Sequence, residues 1–267
     1  MAQDFPLVSC LLMAGSHPDF TARAIFCYQQ QSWPSKELVI VGHEYRDIAP
    51  LLEDIPSQEI CHISPSTEGK ITEDKIKPGK LKNMGLDQAG GTYIIHWDEQ
   101  DWHHPERIRK QTELMLEGYD ACWLAGALLH LDHPEYAHHP RLDLPSGGYT
   151  RSLMHRNDPE IRFNEKKRVS EPAFFSQWKE KKSFQIASDH SWLIVRSVRG
   201  ESKSAPYKRF LSGLRNSPKN FSQLAWLKLR GRQVVSHPQF KLSDQEKESF
   251  HLYLKESQKL GLITSIG

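Results

Sequence analysis

The residues most suited to chemistry are Asp98-Glu99-Gln100-Asp101, an acidic run directly after the apolar stretch Thr92–Trp97 (TYIIHW). Carboxylates at the end of a buried strand stand where open α/β sheets bind ligands. Two further polar turns follow apolar runs in the same way, Gly15–His17 after Leu7–Met13 and Gly42–Glu44 after Glu37–Val41. His130, Asp132, His133, His138 and His139 lie within ten residues. Such spacing could build a Zn²⁺ or Ni²⁺ site, whereas the prolines around it (Pro134, Pro140, Pro145) suit a surface loop. A third feature is charge: eleven Lys and Arg between Arg196 and Lys241 face one acid, Glu201, although the whole chain carries only +2. A face of that kind attracts phosphates, polyanions or an anionic membrane, or is simply a solvated surface.

The elements that must position these groups follow from hydrophobic period. Leu7–Met13, Glu37–Val41, Ile60–Ile63 and Thr92–Trp97 are short apolar runs bounded by Gly, Pro or Ser and are expected to be buried strands. Phe20, Ala24, Ile25 and Tyr28 have helical spacing with Asp19 ahead of them, Lys80–Ala89 is helical until Gly90-Gly91, and Pro105–Glu117 is expected as a helix with Pro in its first turn. The order β-α-β-α-β-α-β predicts an α/β fold with a mostly parallel open sheet flanked by helices. Ser64–Pro78 and His133–Gly148 are expected loops. Ala121–Leu131, Tyr149–His155 and Trp192–Arg196 are expected strands, and Glu171–Lys181, Pro206–Gly231 and Gln245–Leu260 expected helices. No internal repeat is present.

Composition bounds the class. At 267 residues, 38% hydrophobic and 25% charged, the chain is ordinary for a globular protein and excludes collagen or low-complexity disorder. The longest apolar run, Leu7–Gly15, is short of the ~20 residues of a bilayer span. Cys10, Cys27, Cys61 and Cys122 show no C-x₂-C spacing and are expected as buried thiols in a reducing cytoplasm. Leu7-Val-Ser-Cys10 spells a lipoprotein-type cleavage box, but the lead Met-Ala-Gln-Asp-Phe-Pro lacks a basic start, so it is taken as a strand.

An ordered series of motifs runs along the chain: Pro6-Leu-Val-Ser-Cys10; Gln29-Gln-Gln31 before Trp33-Pro34; Glu37-Leu-Val-Ile-Val41; Gly79-Lys-Leu-Lys-Asn83-Met-Gly85; Ala89-Gly-Gly-Thr-Tyr93; Trp97-Asp98 to Asp101-Trp102; and His104-Pro-Glu-Arg-Ile108. Ser152-Leu-Met-His-Arg156, Arg168-Val-Ser-Glu171-Pro-Ala-Phe174 and Val195-Arg-Ser-Val-Arg199-Gly200 continue it. From about Phe5 to Ser202 this series resembles family 2 glycosyltransferases with the GT-A (Rossmann-like) fold. The resemblance implies a GT-A-like domain over 1–204, with 205–267 as a basic helical C-terminal extension. It implies transfer of a sugar from a nucleotide-diphosphate donor to a glycan, lipid-linked or protein acceptor. Donor contacts would come from Ala14, His17, His43, Glu44, Lys80, Asn83, Asp98 and Glu99. Mn²⁺ or Mg²⁺ would sit at Asp98, Gln100 and Asp101 as a Lewis acid for the departing diphosphate, and Glu171 would take the acceptor proton.

Four polar stations depart from the family. Gln100 stands where a second Asp is usual and Pro172 where the acceptor-side Asp is usual. The first-strand loop reads Ala14-Gly15-Ser16-His17, and the second strand ends Val41-Gly42-His43-Glu44, where the family has Thr/Arg and Asp. Two readings follow. One is an active transferase with metal-light chemistry, in which Lys80, Lys82 and Arg199 help neutralise the diphosphate. The other is a catalytically inactive member that binds a sugar nucleotide or a partner. His103 and His104 could touch a phosphate or sugar hydroxyl or pack beneath the site; Asp189-His190 could supply another base or form a turn. Trp97, Trp102 and Trp123 could line a sugar pocket or the core. The basic C-terminal segment interleaves aromatic residues without a nucleic-acid motif, which fits a cytoplasmic protein resting on the inner face of an anionic membrane.

Overall fold

The computed structural model describes residues 5–15, 18–42, 45–65, 76–133, 136, 139–144, 150–198, 205–215 and 217–263. In chain order the first elements are β1 (Val8–Met13), α1 (Pro18–Gln29), β2 (Lys36–Val41), α2 (Tyr45–Leu52), β3 (Ile60–Ile63), α3 (Pro78–Gln88) and β4 (Tyr93–Trp97). There follow β5 (Asp101–His103), α4 (Arg107–Leu116), β6 (Ala121–Leu124), β7 (Ala127–Leu131), β8 (Arg141–Asp143), β9 (Leu153–Arg156) and α5 (Glu171–Lys181). The chain ends with β10 (Phe184–Ala187), β11 (Ile194–Val198), α6 (Ala205–Ser212), α7 (Pro218–Leu229) and α8 (Asp244–Lys259).

The chain divides into two compact units, one of residues 1–125 and 146–187, the other of residues 126–145 and 188–267. In the first, seven strands form one sheet in the order β10-β6-β9-β4-β1-β2-β3. Strands β3, β2, β1 and β4 are parallel, as the apolar runs predict, while β9 lies antiparallel between β4 and β6. Strands buried on both faces read as unbroken apolar runs, which is why β1, β2 and β4 were plain in the sequence. Leu11, Val39, Val41, Leu86 and Ile94 pack with Phe163, Phe174 and Trp178 in one core. Each large side chain so buried contributes about 1.5–3 kcal/mol.

In the second unit β7 pairs parallel with β11 and antiparallel with β8. Helices α6, α7 and α8, expected as a C-terminal extension, belong with these strands in that unit. Leu129, Leu131, Tyr136 and Phe210 form its apolar cluster, and buried Arg141 donates to the Phe210 carbonyl at 3.0 Å.

Several boundaries differ from expectation. The run Ala121–Leu131 is two strands, β6 and β7, in different units; both are fully buried, so hydropathy carries no sign of the change of sheet. The segment Pro206–Gly231 is two helices. Ser217 ends the break by capping α7, its Oγ accepting from the Asn220 N–H at 3.2 Å, with Pro218 in the first turn. Pro105 precedes α4 instead of entering it; its carbonyl accepts the Ser32 N–H at 2.9 Å. Strands β5, β8 and β10 were not foreseen, because three or four residues are too few to show a period. The four cysteines are free, with Cys10, Cys27 and Cys122 buried. Among the described residues no helix is long and apolar enough to cross a membrane.

Candidate functional site

Strand order reverses between β1 and β4, since β1 leads outward to β2 and β3 while β4 lies on its other side. Ligand crevices in open α/β sheets form at such points. The loop after β4 is held tightly there. Glu99, nearly buried, accepts at one oxygen from the Gly15 N–H (2.8 Å) and from Thr21 Oγ1 (3.1 Å). A Cβ on Gly15 would meet that carboxylate and force it to shift. Arg23 donates to the Gln100 carbonyl, His103 Nε2 to the Asp98 carbonyl at 3.1 Å, and Asp98 Oδ1 accepts from the Gln100 N–H at 3.0 Å.

A cation lies across this loop. Pairing of β4 with β9 runs Tyr93↔Arg156, Ile94↔His155, Ile95↔Met154, and just ahead of β9 a single 3₁₀ turn, Thr150–Ser152, carries Arg151. Its guanidinium is 3.7 Å from Asp98 Oδ2 and 3.5 Å from Oδ1 of the 1%-exposed Asp101. Lys82 on α3 pairs with Glu171 at the start of α5 and sits over the Phe163 ring. A cleft of about 190 Å³ is lined by Lys82, Asp98, Glu99, Gln100, Arg151 and Glu171, among others.

Beneath the cleft is a fully buried arginine. Arg107 donates to the carbonyls of His96 (3.0 Å) and Arg151 (2.8 Å), to Gln111 Oε1 (3.2 Å) and to His103 Nδ1. Burial pushes its pKa down to about 10, with Asp101 acting in the opposite direction, so the charge persists at neutral pH. Because His103 Nδ1 accepts from Arg107, the hydrogen is assigned to Nε2 and given to Asp98; burial and then the Arg107 charge hold this ring neutral. His96 and His155 meet at 3.2 Å. His155 Nδ1 donates to the Arg156 carbonyl at 2.7 Å, so its Nε2 accepts from His96 Nε2. Burial lowers His155 to about 4 and His96 well below the ordinary histidine value.

The structure brings Asp98, Glu99, Gln100, Asp101 and Glu171 together, although Glu99 is turned toward Gly15 and Thr21. Asn83 is committed elsewhere: its amide donates to the Phe163 carbonyl (3.0 Å) and Glu165 (2.9 Å) and accepts the Phe163 N–H (2.9 Å). Lys80 is exposed on α3, and its neighbour Lys82 reaches the cleft instead. Ala14 is buried, its N–H donating to Val41 at 2.9 Å. His17, His43, Glu44 and Arg199 lie outside the described residues. Trp97, Trp102 and Trp123 are buried, and Trp97 Nε1 donates to the Ala24 carbonyl at 2.9 Å. In the second unit, buried His130 bonds Tyr253 at 2.9 Å, and Asp189 pairs with His190 at 2.7 Å. His138 lies outside the described residues. Sequence reasoning missed Arg151 and Arg107. Arg151 adjoins the motif Ser152–Arg156, and only the placement of β9 beside β4 reveals where the 3₁₀ turn that carries it goes.

The donor set does not fit a Mn²⁺ or Mg²⁺ ion. Such ions take about six oxygen ligands with carboxylate charge among them. Here Gln100 is a neutral amide, Glu99 is engaged with Gly15 and Thr21, and the facing oxygens of Asp98 and Asp101 share a guanidinium. A divalent ion about 4 Å from that guanidinium would meet roughly 8 kcal/mol of repulsion at an effective dielectric of about 20. Among the described residues no group of three or more His, Cys, Asp or Glu is arranged to hold a metal.

No family model matches the chain. It is similar in sequence to the amylovoran biosynthesis glycosyltransferase AmsB of Erwinia amylovora, 26% identical over 94 residues covering 34% of this chain and 31% of that protein. It is also similar to the succinoglycan biosynthesis protein ExoO of Rhizobium meliloti, 25% identical over 192 residues covering 62% and 53%. The chain thus spans between about a third and about half the length of these curated relatives. In fold it is similar to S. aureus TarS 1–349 (TM-score 0.54, 13% identity, 96% of this chain and 83% of that chain), which has also been solved with UDP-GlcNAc. A second likeness is to the mannosyltransferase PcManGT of Pyrobaculum calidifontis, solved with GDP-Man and Mn²⁺ (TM-score 0.51, 10% identity, 95% and 75%). The fold is the GT-A type of nucleotide-sugar transferases. The resemblance read from the sequence motifs holds in both comparisons.

Proposed function

We propose that the chain is a glycosyltransferase that moves a sugar from a nucleotide-diphosphate donor to a glycan, lipid-linked or protein acceptor. The carrying observation is the cleft at the β1/β4 reversal, where Asp98 and Arg151 face Lys82 and Glu171. In the reaction an acceptor oxygen bonds to the anomeric carbon as the bond from that carbon to the phosphate oxygen breaks. The electron pair stays on the diphosphate and the acceptor proton passes to a base. Glu171, which lines the cleft and pairs with Lys82, is the group we assign that proton. Asp98 and the loop it opens bind the donor.

Glu171→Gln is expected to lower kcat by about 10²–10⁴-fold, the usual contribution of a general base, with nucleotide affinity changed only a few-fold. Calorimetry with UDP and GDP, followed by product analysis with the matching sugar nucleotides, tests the reading. Nucleotide binding without sugar transfer or donor hydrolysis would support instead the inactive binding member, which Gln100 and Pro172 favour. Absence of any nucleotide binding would remove both readings.

We also infer that the chain rests on an anionic membrane face through α7. Phe221, Trp226 and Leu229 are exposed on the side opposite buried Leu224 and Leu227. Lys219 precedes them, Lys228 stands between Trp226 and Leu229, Arg230 and Arg232 follow, and residues 218–232 contain no acid. This suits an interfacial helix with basic flanks. Cosedimentation with phosphatidylglycerol-containing vesicles is expected at low salt and is expected to fall about tenfold in a Trp226→Ser/Leu229→Ser protein. No pelleting at low salt would dismiss the idea.

A further inference from the structure

We propose that Arg151 is a built-in cation that binds the diphosphate of the donor in place of a divalent ion, making donor binding metal-independent. This rests on the glycosyltransferase reading above and specifies how the charge left on the phosphate oxygen is met.

Three observations support the assignment. The first is position: the 3₁₀ turn that leads into β9 puts Arg151 beside the loop that would otherwise hold the metal, and its guanidinium spans Asp98 and Asp101. The second is rigidity. Arg107 holds the Arg151 carbonyl at 2.8 Å and Gln111 Nε2 holds the Ser152 carbonyl at 3.1 Å, while Thr150 and Ser152 are buried. The side chain itself remains 30% exposed in the cleft. A guanidinium aimed by a fixed backbone is suited to a diphosphate, since it is permanently charged and offers a planar fork of donors to phosphate oxygens.

The third observation is charge. Gln100 leaves three carboxylates in the loop; Glu99 is engaged with Gly15 and Thr21, and a monocation bridges the other two. At 3.5–3.7 Å these contacts are longer than the ~2.7–2.9 Å of a tight charge-assisted bond, so Arg151 is braced by the carboxylates without being locked to them. Lys82, paired with Glu171, is a second cation in the same cleft.

The test uses the full chain, dialysed against EDTA, titrated calorimetrically with UDP, GDP, ADP and dTDP with and without Mn²⁺, and titrated with Mn²⁺ alone by electron paramagnetic resonance. At least one nucleoside diphosphate should bind with the same affinity, within about threefold, in EDTA and in Mn²⁺. Mn²⁺ alone should not bind at the cleft. Arg151→Gln should weaken that nucleotide by about 10–100-fold and Arg151→Lys by less, with thermal melting checking that both are folded. Two results would overturn the assignment and leave the glycosyltransferase reading standing: nucleotide binding by the wild type only with Mn²⁺, or wild-type affinity in folded Arg151→Gln. Failure of all four nucleotides under both conditions would overturn the reading and this inference together.

Discussion

An Arg107→Met protein should melt roughly 10 °C below the wild type, corresponding to a loss of about 3–5 kcal/mol. Arg107 is fully buried and satisfies four acceptors on separate stretches of chain: the carbonyls of His96 and Arg151, Gln111 Oε1 and His103 Nδ1. Methionine fills similar volume but leaves those acceptors in an apolar setting without a donor, at about 1–3 kcal/mol each where water cannot reach. It also withdraws a positive charge near Asp101, which is 1% exposed. Lysine should recover only part of the loss, because one ammonium cannot replace the directions of a planar fork. Differential scanning calorimetry checks this, and a melting point within about 2 °C of wild type would show that the clamp is dispensable.

Lowering the pH from 7.5 to 5 should cost the sheet unit about 4 kcal/mol through His96 and His155. Both rings are buried and bonded to each other as neutral groups, and burial is the chief cause of their lowered pKa values. The unfolded chain takes up these protons near 6.5, whereas native His155 resists until about 4. A depressed pKa gives stability that is complete above 6.5 and drains as the pH falls toward 4; at pH 5 each ring accounts for about 2 kcal/mol. Buried His103 and half-buried His104 are lowered by desolvation too and add to the loss in the same window, whereas lowered carboxylates such as Asp158 and Asp244, held down by hydrogen bonds from Lys182 and Lys247, act below their ordinary value of 3.8 and lie outside it. Denaturant midpoints at the two pH values measure the effect. His155→Gln should reduce the dependence without abolishing it, since His96, His103 and His104 remain, and equal midpoints for the wild type would contradict the neutral pair.

Much of the architecture was legible as pattern. The buried strands β1, β2 and β4 are unbroken apolar runs, α5 begins at Glu171 as expected, and the loop after β4 carries the acids that line the cleft. These signals are local: burial on both faces of a strand or one face of a helix is written in consecutive residues. Asn83 shows the limit of motif transfer, since its amide joins α3 to the backbone at Phe163, a partner 80 residues away.

The sequence by itself determined that this is an α/β chain of GT-A type with an acidic loop at the end of a central strand, and that one charge of that loop is replaced by Gln100. Only the tertiary structure decided what meets the remaining acids. Arg151 stands 53 residues beyond Asp98 and reaches it because β9 returns antiparallel beside β4. Likewise Arg107 is one arginine among many until its four acceptors converge on it. Hydropathy fixes which side of an element faces inward, but strand register and the meeting of distant polar groups are set by packing of the whole sheet.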